Sequence, residues 1–406
     1  MRIGFVVGQF PQLSETFVIG QMAGLLKRGF EVEVVCNGIT ECDLANGGQE
    51  PLATLLERTR DWWGAAARAR PTLRRLPPKL HDKVSTALDL TSVARLNGCD
   101  AVVAHFGHNG ARAARLKKWK RLAPPIVTIF HGYDVGVPMH EGDLGRYSDL
   151  FRHGTLNLTV NDFFRRALIG AGAPKEKVAV HHMGIDLHNI SYAWQSWRDA
   201  SLQLVSVCRL TEKKGVEFAL RALGRLAIDA PKLAWHYRIV GDGPLRRELE
   251  ALAHSLGIAE RVSFLGSLAH EDVKLWLRRS HAFVLPSVTA SNGDVEGIPV
   301  ALMEAMAAGL TVVSTDHSGI PELVEDRKTG FLAPERDFET LANRLRFVAE
   351  HPEPCERIAE EARRKVEAEF DAERLDEEFA GIVSRFAGGM RKNARGFPPA
   401  SRSNAL

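Results

Sequence analysis

Short runs of Val, Ile, Leu and Phe recur along this 406-residue chain, each followed by a stretch with helical periodicity. Runs of four to eight apolar residues without polar alternation suit strands buried on both faces, and parallel strands need a crossover between them that is usually a helix. The pattern therefore predicts an α/β chain of parallel sheets. One series of strands is expected at residues 2–7, 31–36, 101–105, 126–130 and 156–160, and a second at 202–207, 236–240, 262–265, 282–285 and 310–314. Between them, the polar, Trp-containing stretch 188–200 keeps neither period, so it reads as a linker between two Rossmann-like domains spanning 1–187 and 201–371. Residues 372–387 have a helical pattern, and the Gly-, Pro-, Ser- and Arg/Lys-rich stretch 388–406 is expected to be disordered.

Composition excludes several classes. With 45% hydrophobic and 25% charged residues the chain is globular, and a net charge of +3 is too small to point to nucleic acid as a partner. Cys36, Cys42, Cys99, Cys208 and Cys355 are scattered without Cys-x-x-Cys spacing, which suits reduced thiols in a cytoplasmic protein and neither a disulfide framework nor a zinc site. The start, Met1 followed by an apolar run, lacks the basic lead and cleavage pattern of a signal peptide. No run approaches the roughly 20 apolar residues of a membrane-spanning helix.

The segment EGIPVALMEAMAAG, residues 296–309, carries the most chemistry. Pro299 suits a first helical position and Gly309 a stop, so a short buried helix is expected, with Glu304 on its second turn. The N–H groups and dipole of a helix start favour phosphate, and the backbone of Gly297, Ile298 and Val300 would form the cradle. Glu304, one turn further in, suits a vicinal diol such as a ribose, and Glu296 would face a group carried on the far phosphate. In open parallel sheets ligands collect beyond the strand carboxyl ends, where Arg209 and Lys214 follow the strand at 202–207.

These features, with VCRLTEKKG (207–215), IVGDGPLRREL (239–249), VSFLGSL (262–268), VLPS (284–287), STDHSGIPELVEDRKTGFL (314–332), FPQLSETFV (10–18), TIFHGYDV (128–135) and HHMGIDL (181–187), resemble the retaining glycosyltransferases of family 4 with the GT-B architecture, especially enzymes of bacterial surface and exopolysaccharide assembly. The resemblance implies two Rossmann-like domains with parallel sheets facing an interdomain cleft, the first on the acceptor side and the second binding a UDP- or GDP-sugar, with a C-terminal helix crossing back to the first domain. It implies that Arg209 and Lys214 bind the donor diphosphate, Glu304 the ribose and Glu296 the transferred sugar, with His131 as the active-site histidine. Leu265, Gly266 and Ser267 would contact the base through backbone groups, with Gly241 and Gly243 turning the chain near the nucleotide. No resident cofactor and no metal are implied.

Further candidates surround these. Asp134 would orient His131 or the acceptor, Asn292 and Asp294 would help position the sugar, and His105 is a secondary contact. His108 pairs with His105 in spacing, but no carboxylate or Cys cluster accompanies them as metal ligands would. Ser14 or Thr16 would cap the next helix, with Glu15 near its positive end. Trp62, Trp63 and the basic run that follows, with KKWKR at 117–121, have the composition of an anionic-membrane contact. Such peripheral association would suit a polyprenyl-linked glycan acceptor.

The resulting expectation is transfer of a hexosyl unit, with retention, to a glycan or lipid-linked glycan. Without an obvious protein nucleophile, a front-face route is implied in which the leaving diphosphate helps accept the acceptor's proton. Glu296 then positions and stabilises rather than attacks. Nucleotide-sugar epimerisation, phosphorolysis and a catalytically silent binding subunit remain the alternatives.

Overall fold

Strand β1 (Arg2–Phe10) lies near the middle of a seven-stranded sheet in which every pairing is parallel. The computed structural model describes residues 1–12, 15–40, 50–62, 70–73, 75–77, 80, 84, 87–198 and 200–388. The other strands of this sheet are β2 (Glu31–Ile39), β3 (Thr59–Asp61), β4 (Ala101–His105), β5 (Ile126–Phe130), β6 (Leu156–Thr159) and β7 (Val178–Val180), in the order β3-β2-β1-β4-β5-β6-β7. A second, six-stranded parallel sheet holds β8 (Leu202–Val207), β9 (Trp235–Val240), β10 (Val262–Gly266), β11 (Ala282–Leu285), β12 (Thr311–Thr315) and β13 (Phe331–Ala333), ordered β10-β9-β8-β11-β12-β13.

Alternation along the strands builds a core on each face. Ile3, Phe5 and Val7 enter one buried cluster while Val6 enters another with Val102 and Ala104. In the second sheet Leu204 and Val313 face one cluster, Val205 and Val312 the other. Burying such a side chain contributes about 1.5–3 kcal/mol, so these strands tolerate few polar residues.

The architecture is the two-domain α/β form expected. Strands β3, β7 and β13 were not foreseen, because three residues are too few to set up a period, and β1 and β2 run three residues beyond their expected ends. The chain passes between the domains twice at one place: Ile185 N–H donates to Phe370 O at 2.9 Å and Ala372 N–H to Ile185 O at 3.0 Å. Helix Ala372–Gly388 then places Phe379 and Val383 in the first domain's core. Within the stretch read as a linker, Trp197 is buried in the second domain and its Nε1–H donates to Val348 O at 3.2 Å.

Trp62 corrects the membrane reading. It is fully buried, and the Arg112 guanidinium lies 4.2 Å from its ring centroid, so it cannot insert in a lipid surface. Trp63 and Cys42 lie outside the described residues, as do residues 389–406 of the tail; Cys99, Cys208 and Cys355 are free thiols. Among the described residues no helix is long and apolar enough to cross a membrane.

Candidate functional site

Glu296 lies on a loop anchored in both domains. Its neighbour Val295 packs with Phe130, Val135 and Val160 of the first domain, whereas Ile298 packs into the second domain's core. Ile298 therefore offers a ligand only its backbone. Glu296 itself is 6% exposed, and Lys214 Nζ, from the turn Glu212–Lys214 after β8, lies 2.6 Å from its Oε1. Burial opposes the charge on Glu296, but Lys214 outweighs it with help from Lys213, and the carboxyl stays below its ordinary range. Burial likewise works against the Lys214 ammonium, and Glu296 more than compensates, so its pKa rises.

Three residues that sequence reasoning did not single out hold the Glu296 backbone. Its N–H donates to His317 Nε2 at 3.1 Å, and His317 Nδ1 is 2.6 Å from Glu335 Oε1. Because Nε2 accepts, the imidazole proton sits on Nδ1 and is given to Glu335, which fixes one neutral tautomer. Ser318 Oγ–H donates to Glu296 O at 2.7 Å. His317 and Ser318 lie two and three residues past the end of β12, so their place beyond a strand carboxyl end was the available signal.

Helix Val300–Ala308 begins one residue later than expected: Pro299 is its N-cap, with φ −65° and ψ 122°, rather than its first helical residue. Gly309 ends it in the left-handed region. Val300 and Glu304 line an interdomain cavity of about 870 Å³ together with Thr16, Phe17, His182 and Lys274. Half-buried Glu304 has its pKa pushed up to about 7 by burial, which the charge of Lys274 only partly offsets. Arg209 is exposed and has no ion-pair partner among the described residues. Gly241 and Gly243 serve close packing: a Cβ on Gly241 would come within 1.9 Å of Cys208 O, and one on Gly243 within 2.5 Å of Leu210 O. They bring the β9 loop against the backbone that carries Arg209. Leu265 packs into the core, Gly266 O accepts from Gly241 N–H at 2.8 Å, and Ser267 is exposed.

On the first domain's side His131 follows β5, its backbone in contact with the Glu296 loop. A Cβ on Gly297 would come within 2.7 Å of His131 O, and Asn161 Nδ2 donates to Gly297 O at 3.2 Å. His131 Nε2 is 3.0 Å from Nδ1 of fully buried His105, and their rings stack. Burial keeps both imidazoles neutral, holding His105 at about 3 and His131 well below the ordinary range. Asp134 is 2% exposed, and its carboxylate accepts from Gly107 N–H at 2.8 Å, His131 N–H at 3.0 Å and Gly132 N–H at 2.9 Å. It shapes the turn that presents His131 and has no face left toward an acceptor. His108 stacks on Phe106 rather than joining His105, and no group of three or more His, Cys, Asp or Glu side chains among the described residues is arranged to hold a metal.

Thr16 is the first residue of helix Thr16–Lys27, so it does not cap it; Glu15 is the N-cap residue and makes no side-chain cap bond. The Glu15 carboxyl is pushed up to about 7 by burial. Ser14 lies outside the described residues. Asp294 pairs with Lys213 at 3.0 Å, and Asn292 Oδ1 accepts from Asp294 N–H at 2.9 Å, so both shape the loop before Glu296.

Two Rossmann-like domains meeting along a cleft, with a buried Lys–Glu pair on one side and a neutral histidine on the other, define a GT-B glycosyltransferase scaffold. The models for Glycosyltransferase Family 4 and for Glycosyl transferases group 1 match residues 14–189 and 195–365, and the chain belongs to this family. It is 38% identical to WcaL of Escherichia coli K12, a glycosyltransferase named for colanic acid biosynthesis, over 94% of this chain and 99% of that protein. It is 34% identical to the amylovoran biosynthesis glycosyltransferase AmsK of Erwinia amylovora, over 95% of this chain and all of AmsK. Among solved structures, Anabaena HepE in complex with UDP superposes with a TM-score of 0.73 at 21% identity, over 95% of this chain and all of HepE.

Proposed function

We propose that this glycosyltransferase moves a hexosyl unit, with retention at the anomeric carbon, from a UDP- or GDP-sugar to a glycan or lipid-linked glycan acceptor in exopolysaccharide assembly. The observation that carries the reading is the buried Lys214–Glu296 pair, 2.6 Å apart, on a loop wedged between the domains beside His131. Breaking the sugar–diphosphate bond leaves negative charge on the departing phosphate, which Lys214 and Arg209 stabilise most in the transition state. The start of helix Val300–Ala308 adds N–H groups, and Glu304 takes the ribose hydroxyls. Glu296 orients the transferred sugar. Its attachment to a cation argues against a free attacking carboxylate and favours a front-face route, with the acceptor's proton passing to the leaving diphosphate. His131, held neutral, hydrogen-bonds the sugar and helps exclude water.

The pathway in the proposal draws on the names of WcaL and AmsK, and the nucleotide class on the UDP bound to HepE. A cytoplasmic enzyme working at an anionic membrane face is part of the proposal. Trp119, 48% exposed beside exposed Lys120 and Arg121, supports that contact.

The test is a panel of UDP- and GDP-sugars with oligosaccharide acceptors, reading nucleoside diphosphate release and the anomeric proton coupling of the product. Acceptor-dependent release with retained configuration is expected. Inverted product would refute retention, and release that needs inorganic phosphate instead of an acceptor would establish phosphorolysis.

A further inference from the structure

Around His131 the first domain gathers aromatic rings that the steps above leave unused. Phe106 lies 4.7 Å from His131 and 5.3 Å from Tyr133, ring centroid to centroid, and stacks with His108 at 5.9 Å. Its backbone has φ 69°, an unfavourable conformation for a bulky residue that persists only where the surroundings enforce it. That backbone places a 5% exposed Phe106 as a wall behind Tyr133, which is itself 46% exposed. Tyr133 OH is 3.5 Å from His108 Nδ1, a contact that steadies the ring.

The carboxyls near Tyr133 are those of Asp134, held by the turn, of Asp294, paired with Lys213, and of Glu15, pushed up to about 7 by burial. Nearby His108 is kept neutral, burial holding it at about 4. Arg112 is turned to Asp89 and to the Trp62 ring, and Lys213 to Asp294. An aromatic face suits the C–H face of a pyranose, which is apolar and weakly positive, and a neighbouring carboxyl accepts from ring hydroxyls.

We propose that Tyr133, backed by Phe106 and His108 beside His131, is the stacking platform for a neutral sugar ring at the reacting end of the acceptor. This rests on the transferase reading and names the residue that would hold the acceptor's terminal sugar. The chain would extend an existing glycan, with Glu15 taking a ring hydroxyl, and would not glycosylate a bare lipid phosphate. Its acceptor must then come from a reaction that has already placed a sugar on the carrier.

Saturation-transfer NMR on the full chain with UDP or GDP present tests this. The probes are methyl glycosides of glucose, galactose, mannose and fucose, with farnesyl phosphate as the bare lipid phosphate. At least one glycoside should receive saturation on its ring-face protons in wild type. Its affinity should fall roughly tenfold in Tyr133→Ala, as expected from losing an aromatic contact, and return in Tyr133→Trp. Glycoside contact that survives Tyr133→Ala, no contact by any glycoside in wild type, or farnesyl phosphate binding that depends on Tyr133 would each overturn the platform. Calorimetry on the same samples keeps the two readings apart: failure of both UDP and GDP to bind sinks the nucleotide-sugar reading itself, whereas nucleotide binding without a Tyr133-dependent glycoside sinks the platform alone.

Discussion

Replacing Lys214 with Met should destabilise the second domain in a way that depends steeply on pH. The side chains of Lys214 and Glu296 are 17% and 8% exposed, so removing the ammonium leaves a buried carboxylate facing only Lys213 and His317. Breaking such a pair costs on the order of 3–5 kcal/mol. Glu296 can escape part of that cost by binding a proton. Neutralising a carboxyl whose ordinary pKa is 4.5 costs about 1.4 kcal/mol per pH unit above that value, hence roughly 3.4 kcal/mol at pH 7 and about 1.4 kcal/mol at pH 5.5. In wild type the folded pKa is depressed, so this stability is present above the unfolded pKa and lost only as pH falls through the folded one. In the variant the folded pKa is raised instead, so stability drains away as pH rises from about 4.5. Urea unfolding at several pH values between 5.5 and 7 reads the difference; the remaining charge of Lys213 should keep the loss somewhat below the ceiling. Lys214→Met combined with Glu296→Gln should be close to wild type in stability, flat with pH, and inactive in transfer. A Lys214→Met deficit below about 0.5 kcal/mol at pH 7, or one that does not shrink toward pH 5.5, would refute the claim that Lys214 holds Glu296 ionised.

Arg209→Ala should leave stability unchanged, because the side chain is exposed, yet weaken donor use by about 1.5–3 kcal/mol, read as kcat/KM over a donor series. Glu304 has its pKa raised to about 7, and ribose hydroxyls donate best to the ionised form, so nucleoside diphosphate affinity should rise with pH through 7 and level off above it; calorimetry on Glu304→Gln should give a weaker, pH-independent affinity. His317→Phe removes the acceptor for the buried Glu296 N–H, at a stability cost of about 1–3 kcal/mol, and should lower kcat more than nucleoside diphosphate affinity.

The doubly repeated sheet was legible because strands buried on both faces, such as β4, β5 and β11, are mostly apolar along their length. The placement of the candidate residues was legible too: Lys214 and His131 lie beyond strand ends, and Glu296 and Glu304 flank or enter the start of helix Val300–Ala308. What stayed hidden depends on distance across the fold. Asp134 reads as a free acid beside His131, and only the positions of three backbone N–H groups reveal that it is consumed by the turn. Trp62 next to a basic run has the composition of a membrane anchor, but helix Gly107–Lys118, remote in sequence, supplies the guanidinium that covers it. His317 and Glu335 are separated by 18 residues, and nothing local in either marks them as partners.

The segment following β12 joins the chemistry to the seam between domains. His317 and Ser318 hold the two sides of the Glu296 backbone, while four residues further on Glu322 reaches the first domain, accepting from Asp162 N–H at 2.7 Å and meeting His182 Nε2 at 3.1 Å. Val295 adds a buried apolar contact to the first domain, worth about 1.5–3 kcal/mol, directly beside Glu296. Hydrogen bonds to charged groups contribute about 1.5–3 kcal/mol each, so these contacts are comparable in size to the binding energy of a few phosphate interactions. Parting the domains would withdraw Val295 and Glu322 together, and with them the supports on either side of Glu296. The carboxylate therefore has its full set of constraints only when His131 is also at hand, and in the proposed reaction this would tie activation of the donor to the arrangement that keeps water out of the cleft.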